Sequence, residues 1–119
     1  MDENSNYIVI STNNDSEAIQ NALDVLGLQG FLVATPTSTG EVFECIMYRT
    51  EEQSIKFVEN PSELERYNYE LHKVEYLKDS IEQMLNALGE QGFKIANSWI
   101  EGNFVAFILY KVIIDGKEG

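Results

Sequence analysis

The sequence predicts an α+β protein made from one small β-α-β-β unit that occurs twice in tandem. Shifting the chain by 62 positions aligns it with itself without a gap, and strand-like and helix-like segments then follow in the same order in both halves. Of the 44 positions in residues 7–50, 12 are identical to those in 69–112, where chance would give about two or three. We therefore predict an internal duplication.

The repeat divides the chain into five segments. The first unit is residues 7–50 and the second is 69–114; a charged connector, 51–68, joins them, and short tails, 1–6 and 115–119, flank them. Because a three-stranded unit is marginal on its own, we expect the two units to form one compact domain.

Each unit opens with a strand and continues with an amphipathic helix. Residues 7–12 form a short segment rich in β-branched and apolar side chains, which is typical of a strand. Asn14 predicts the first helix N-cap, with Glu17 as its capping-box partner, and Asp79 with Glu82 predicts the second. Apolar residues then recur at helical spacing. They are Ala18, Ile19, Ala22, Leu23 and Leu26 in the first unit, and Ile81, Met84, Leu85 and Leu88 in the second.

Glycines mark where each helix ends. Gly30 and Gly92 predict the left-handed residue that closes a helix, and the phenylalanine after each is expected to fold back on the last turn. Gly27 and Gly89 lie inside that last turn, where glycine is unfavourable by about 1 kcal/mol relative to alanine. We expect both to be places where the helix approaches a strand closely.

A β-hairpin follows each glycine, and the connector is less regular. The hairpins span residues 31–50 and 93–114. In the connector, Ser62 onward predicts a short helical turn after Pro61, whereas Ile55, Phe57 and Val58 are expected to pack on the domain or to add a strand.

The last strand of each unit is apolar on both faces, so one helix cannot cover it. We expect antiparallel sheets with the helices packed on one face and the two units paired about a pseudo-twofold axis. The units either pack sheet against sheet within the chain or join into one wide sheet whose bare face meets another chain. A homodimer is a further expectation, since any remaining apolar face needs a cover.

The charge of the chain narrows the classes of partner. Twenty acidic residues against eight basic ones give a net charge of −12, which repels phosphate backbones and anionic membranes. We therefore expect no direct nucleic-acid or membrane binding. No apolar run reaches the length of a membrane span, and the single cysteine and acidic N-terminus favour a cytoplasmic location. The charge serves solubility or, alternatively, mimics nucleic acid.

One motif carries a family resemblance. Leu88-Gly89-Glu90-Gln91-Gly92-Phe93, followed by a hairpin that ends at Tyr110-Lys111, resembles a family of short, uncharacterised bacterial and phage β-α-β-β domains. The resemblance extends more weakly to the first unit and so covers most of the chain. It implies a small accessory domain, often oligomeric, with no agreed enzymatic activity. This chain departs from the family in carrying two fused copies.

Two equivalent strand ends are candidate ligand contacts. Tyr48-Arg49 and Tyr110-Lys111 each place an aromatic ring beside a cation, a pair that can hold an anion or a nucleotide. They are equally typical of solvated strand ends.

Three further residues are candidates with plain structural alternatives. Trp99 replaces the Thr37 of the first unit and predicts either a contact surface or packing against the connector. His72, with Glu70 two residues earlier on the same strand face, is either a ligand contact or a surface residue. Cys45 aligns with Phe107 and is predicted to be a core residue.

No pattern in the chain indicates catalysis, a metal or a cofactor, because the spacing of a catalytic triad, a phosphate loop, a CxxC motif or a calcium loop is missing. We expect a non-enzymatic binding module, phage-related by resemblance, that captures a small nucleotide-like ligand or a protein partner through a symmetric surface. An acidic inhibitor that mimics nucleic acid and a small enzyme of unknown type are the alternatives.

Overall fold

A computed structural model describes residues 6–113. The predicted tails 1–6 and 115–119 therefore lie outside the described residues, apart from Asn6. The elements, in chain order, are β1 (Tyr7–Asn13), α1 (Ser16–Gly27), β2 (Leu32–Ser38), β3 (Val42–Tyr48), α2 (Glu51–Glu59), a 3-10 turn (Pro61–Glu63), β4 (Arg66–Glu75), α3 (Lys78–Glu90), β5 (Lys94–Glu101) and β6 (Phe104–Ile113).

The strands form two antiparallel three-stranded sheets, which confirms the α+β prediction. The first sheet has the order β1-β3-β2 and the second has the order β4-β6-β5. Tyr7 lies opposite Tyr48 in the first sheet, and Tyr69 lies opposite Tyr110 in the second. The register of each hairpin shifts once, between positions 33 and 35 in the first unit and 95 and 97 in the second. The units thus share topology and register at the predicted offset, and their origin by duplication stays a prediction.

The helix starts differ from the predicted caps. The N-cap of α1 is Asp15, whose carboxylate accepts a hydrogen bond from the backbone N–H of Ala18. Asn14, the predicted cap, points instead toward the second unit. Helix α3 begins after Leu77, which caps without a side-chain hydrogen bond, so Asp79 lies inside the first turn. Both predicted N-caps are therefore wrong, and with Asp15 as the cap of α1 the third helical residue is Ala18, so Glu17 is not at the capping-box position.

The helix ends agree with the prediction. Gly30 and Gly92 adopt φ of +86° and +94°. The N–H of the following Phe31 bonds to the carbonyl of Leu26 at 3.0 Å, and the same bond closes α3 at 3.1 Å. These are the bonds of a Schellman ending, and they turn each chain sharply into its hairpin.

The connector is mostly helical. Residues Glu51–Glu59 form α2, capped by the hydroxyl of Thr50, which accepts from the N–H of Gln53. The predicted turn after Pro61 is present as a 3-10 turn. A strand around Ile55, Phe57 and Val58 was the wrong alternative, because the cap and the helical spacing outweigh the β propensity of three apolar residues.

The two units pack through faces that are not equivalent. One apolar cluster joins α1 and the inner face of the first sheet to one face of the second sheet. The other face of the second sheet is covered by its own helix, α3, in a separate cluster. The second sheet is therefore covered on both faces. The residues that meet at the junction are Ile19, Leu23, Phe31, Phe43, Cys45 and Met47 from the first unit and Tyr67, Tyr69 and Ile108 from the second.

Helix α1 also closes the free edge of the second sheet. The side chain of Gln20 donates to the carbonyl of Tyr69 at 2.6 Å and accepts from the N–H of Leu71 at 2.9 Å, as a neighbouring strand would. A Cβ on Gly27 would clash with the carbonyl oxygen of Tyr67. The close approach predicted at Gly27 is confirmed. At Gly89 the same prediction fails, since a Cβ there meets nothing within 4 Å among the described residues.

The pseudo-twofold pairing needs correction for the same reason. A twofold axis would bury equivalent faces equally. Ile108 is 0% exposed and its counterpart Ile46 is 40% exposed, while Tyr69 is 1% exposed and its counterpart Tyr7 is 68% exposed. The arrangement is head-to-tail: the second unit covers one face with the first, and the matching face of the first unit stays open.

Candidate functional site

Arg49 and Lys111 occupy equivalent places, each beside the end of its unit's helix. Arg49 donates through Nη1 to the carbonyl of Gln29 at 3.0 Å, and its guanidinium lies 4.4 Å from the ring centroid of Phe31. Lys111 donates through Nζ to the carbonyl of Gln91 at 3.3 Å and lies 5.0 Å from the ring of Phe93. A cation is favourable here because the last carbonyls of a helix carry partial negative charge.

In the first unit, the connector covers the end of the helix beside Arg49. The ring of Phe57, from α2, lies 4.2 Å from the guanidinium of Arg49, on which Phe31 also packs. Gly30 is covered as well, since a Cβ there would meet Leu64 at 2.9 Å. Arg49 is 3% exposed. It holds the connector against the helix end, and its role as a ligand contact stays a prediction.

In the second unit, the end of the helix beside Lys111 is not covered by the connector. A cavity of about 290 Å³ lies over the end of α3. A Cβ built on Gly92 would meet only Lys111, at 3.8 Å, among the described residues. We name this cavity the Lys111 niche. It is lined by Gln91, Gly92, Lys94, Tyr110, Lys111 and Val112.

The Lys111 niche combines positive charge with ring surface. Lys94 and Lys111 are two of only eight basic residues in a chain of net charge −12. Lys94 is exposed and takes the place of Leu32 in the first unit. Tyr110 is half-buried, held edge-on against Tyr67 at 5.9 Å between ring centroids. A lining that combines two lysines with a tyrosine is suited to an anion that carries a ring.

The structure brings two predicted site residues together and separates the rest. Tyr110 and Lys111 both line the niche, whereas Tyr48 packs beside Tyr7 at the equivalent end of the first sheet, 6.3 Å between ring centroids. His72 lies 2.7 Å from Glu70, the contact that their shared strand face permits. Neither Tyr48 nor His72 lines the niche.

Trp99 lies at the junction between the units. Its ring packs on Phe43 of the first unit with 5.2 Å between centroids. Packing against the connector, the alternative from the sequence, stays a prediction. Its indole Nε1 is buried and interacts with the carboxylate of Glu101, whose charged form it favours. The copy-specific contact surface predicted for Trp99 is an internal one.

Glu101 is a junction residue that the sequence did not single out. Its carboxylate accepts hydrogen bonds from Asn14 and Ser38 of the first unit, both at 3.0 Å, and pairs with Lys73 at 3.0 Å. Burial alone would raise the pKa of Glu101, but Asn14, the indole of Trp99, Lys73 and Ser38 favour the charged form and lower the pKa to about 2. One feature of the sequence could have indicated this junction: Trp99 and Glu101 occupy the positions of Thr37 and Thr39 of the first unit.

The environment of Cys45 keeps its thiol unreactive. Cys45 lies in the core, as predicted, at 1% exposure, and burial raises the pKa of its thiol to about 12. The thiol is thus kept in its unreactive protonated form at neutral pH. Within residues 6–113 no group of three or more histidine, cysteine or acidic side chains is arranged to hold a metal ion.

Comparison with protein-family models, with curated proteins and with solved structures finds no match. The resemblance to short bacterial and phage domains therefore stays a prediction. Within the described residues, no helix combines the length and apolarity needed to cross a membrane.

Proposed function

We propose that the protein is a non-enzymatic binding module whose Lys111 niche takes a small anion carrying an aromatic ring, such as a mononucleotide. The supporting observation is the contrast between the units. One cation at the end of a helix is covered by an aromatic ring, Phe57, in the first unit, and its counterpart in the second unit borders an open cavity.

The first unit supplies the template for what the niche accepts. There, Phe31 and Phe57 pack on the guanidinium of Arg49, so an aromatic ring is a natural cover for this cation. In the second unit, a ligand ring would pack on Lys111 opposite Phe93. An anionic group on the same ligand would then reach Lys94, which replaces an apolar residue.

The size of the cavity limits the ligand. Drug-sized pockets run from about 300 to 1,000 Å³, and the niche, at about 290 Å³, is at the lower end. This favours one ring system with one phosphate or carboxylate over a dinucleotide. The proposed ligand would occupy one unit only, in place of the symmetric surface expected from the sequence.

The other expectations remain proposals beside this one. A protein partner that inserts an aromatic side chain would use the same niche. The acidic inhibitor rests on the net charge alone, and the homodimer, the phage origin and the cytoplasmic location have no further support.

The test is a titration of the ¹⁵N-labelled protein with adenosine monophosphate, with adenosine and inorganic phosphate titrated separately. We expect amide shifts confined to the lining of the niche, residues 91–94 and 110–112. Adenosine monophosphate should bind more tightly than either part, because only it supplies both ring and charge. Lys111→Gln should weaken that binding by about tenfold, the effect of losing one charged contact of about 1.4 kcal/mol.

Two variants serve as matched controls. Lys78→Gln removes the same charge from an exposed site on α3, outside the niche, and should leave binding unchanged. Lys94→Leu restores the residue of the first unit and should weaken the monophosphate but not adenosine. Equal losses for Lys78→Gln and Lys111→Gln, or shifts scattered over the whole surface, would refute a built site. Binding of a peptide with the sequence of residues 50–65 in place of the nucleotide would support the protein-partner alternative.

A further inference from the structure

Two exposed apolar surfaces lie on opposite units. The first is the open face of the first sheet: Tyr7, Val9, Ile46 and Tyr48, with Tyr7 68%, Val9 61% and Ile46 40% exposed. The second surrounds α3 and the adjacent end of the second sheet, and we name it the α3 flank: Tyr76, Glu82, Gly89, Ile95 and Ile100. Its apolar members, Tyr76, Ile95 and Ile100, are 58%, 50% and 60% exposed.

The junction inside the chain shows how such surfaces fit together. The counterpart of the open face, on the second sheet, includes Tyr69 and Ile108 and is buried against the first unit. It packs along α1, whose equivalent is α3. A second chain could therefore place its open face on the α3 flank in the same way that the second sheet lies on α1.

Gly89 is the strongest indication of such a contact. In α1, the equivalent Gly27 is required, because a Cβ would lie 2.9 Å from the ring of Tyr69 and still closer to the adjacent strand. Gly89 meets nothing within 4 Å among the described residues, so the fold of one chain gives no steric reason for a glycine there. An exposed helical glycine is unfavourable relative to alanine. The counterpart of Tyr69 that would reach Gly89 is Tyr7 of another chain.

The polar residues of the junction inside the chain differ from the residues at the equivalent positions of the two exposed surfaces. Inside the chain, Asn14 and Ser38 of the first unit face the charged Glu101, which is paired with Lys73. All four are polar, and the carboxylate is satisfied by its donors.

At the equivalent positions between chains, neither side is charged. The α3 flank has Tyr76 and Ile100 where the first unit has Asn14 and Ser38. The open face has Ser11 and Thr39 in place of Lys73 and Glu101. At these four positions, apolar groups on the α3 flank would thus meet uncharged groups. The open face also carries one carboxylate, Glu44, which lies beside Ser11 where the second sheet has the buried Ala106.

We propose that the occupant of the α3 flank is a second copy of this chain, docked head-to-tail through the open face of its first sheet. Such a contact is heterologous, because each chain contributes two different surfaces. It builds a ring where the rotation closes and an open chain of molecules where it does not.

Glu82 is a mismatch on the α3 flank, as the exposed Glu44 is on the open face, and Glu82 gives the proposal a signed test. Its equivalent, Gln20, both donates to a strand carbonyl and accepts from a strand N–H. A glutamate can accept but cannot donate when ionised, so it would face the carbonyl of the docked Tyr7 unfavourably. Glu82→Gln should therefore strengthen association.

Sedimentation velocity over a concentration series, from micromolar to millimolar, measures the association. We expect the wild type to associate as concentration rises, and Glu82→Gln to lower the midpoint concentration several-fold. Gly89→Ala should raise the midpoint by about tenfold or more, although it raises the melting temperature of the single chain. Tyr7→Asp, at an exposed position that the fold tolerates, should have the same effect on association.

Matched controls separate these effects from charge and helix propensity. Glu52→Gln removes an acidic residue paired with a lysine four residues away, as Glu82→Gln does, but on α2. Gln83→Ala raises helix propensity on α3 at a position whose equivalent, Asn21, is exposed. Neither control should move the midpoint.

A mixing experiment decides the geometry. Tyr7→Asp retains an intact α3 flank and Gly89→Ala retains an intact open face, so each alone should be monomeric and their mixture should form a one-to-one complex. A twofold dimer through either surface alone would give no such rescue and would overturn the proposal. A wild type that is monomeric up to millimolar concentration would overturn it too, as would a midpoint that Gly89→Ala and Tyr7→Asp leave unchanged.

Discussion

Acidification should weaken the junction between the units through Glu101. The hydrogen bonds and the ion pair of this carboxylate lower its pKa from the usual 4.5 to about 2, despite its burial. Because the carboxyl group binds a proton less readily in the folded chain than in the unfolded chain, its stabilising effect is complete above about pH 4.5. It is lost as the pH falls toward 2.

The magnitude follows from the shift and the exposure. A change from 4.5 to about 2 corresponds to roughly 3 kcal/mol. The side chain of Glu101 is 24% exposed and that of Lys73 is 28% exposed, so solvent screening reduces the expected effect to about 1–2 kcal/mol. At pH 7, Glu101→Gln should therefore lower the free energy of unfolding by about this amount.

Urea unfolding at a series of pH values between 7 and 3 measures the effect. Trp99, the single tryptophan, packs across the junction on Phe43, so its fluorescence reports the junction while circular dichroism reports both units. The difference between wild type and Glu101→Gln should shrink below pH 4.5. Taking the difference removes the contribution of the other acidic residues, whose mutual repulsion also changes with pH.

Glu44→Gln provides the matched control, since Glu44 is exposed on β3 and carries the same charge. Its difference from the wild type should be small and independent of pH. A Glu101→Gln difference that stays constant down to pH 3, or one that Glu44→Gln reproduces, would refute the assignment of the low pKa to this junction.

Four substitutions and one modification test the roles of individual residues. Gly27→Ala should lower the free energy of unfolding by about 2 kcal/mol through overpacking against β4, whereas Gly89→Ala should raise it by about 0.5–1 kcal/mol; thermal or urea melts give both. Arg49→Ala should lower the free energy of unfolding by about 2–4 kcal/mol, because it empties a buried site between two aromatic rings. A urea melt of Lys111→Ala, at the open counterpart, should show a loss below about 1 kcal/mol. Cys45 should react with a thiol reagent only in denaturant, and rapid labelling of the native protein would contradict its burial.

The local features of the fold were predictable from the sequence because they depend on neighbours in the chain. Gly30 and Gly92 were identified as helix ends since the left-handed conformation strongly favours glycine. The strands and hairpins followed from alternation and turn residues. The helix α2 was missed, because Ile55, Phe57 and Val58 suit a strand equally well when their packing partner is unknown.

The packing of the units and the niche could not be predicted in the same way. Burial of Arg49 depends on Phe57 reaching across from the connector, a contact that no local pattern indicates. The repeat itself suggested that equivalent faces of the two units meet. The sequence differences between the units were what indicated which face is buried. Trp99 and Glu101, which replace two threonines, marked the face of the second unit that is buried.

The head-to-tail junction has an evolutionary consequence for the two units. In an assembly of identical chains, one substitution alters every copy of an interface at the same time. Here Asn14 and Glu101 belong to different units of one chain. Each can therefore be substituted without changing its counterpart in the other unit, which is Tyr76 for Asn14 and Thr39 for Glu101. Because both units lie on one chain, substitutions can stabilise the internal junction while the equivalent surfaces remain open to selection for binding another partner.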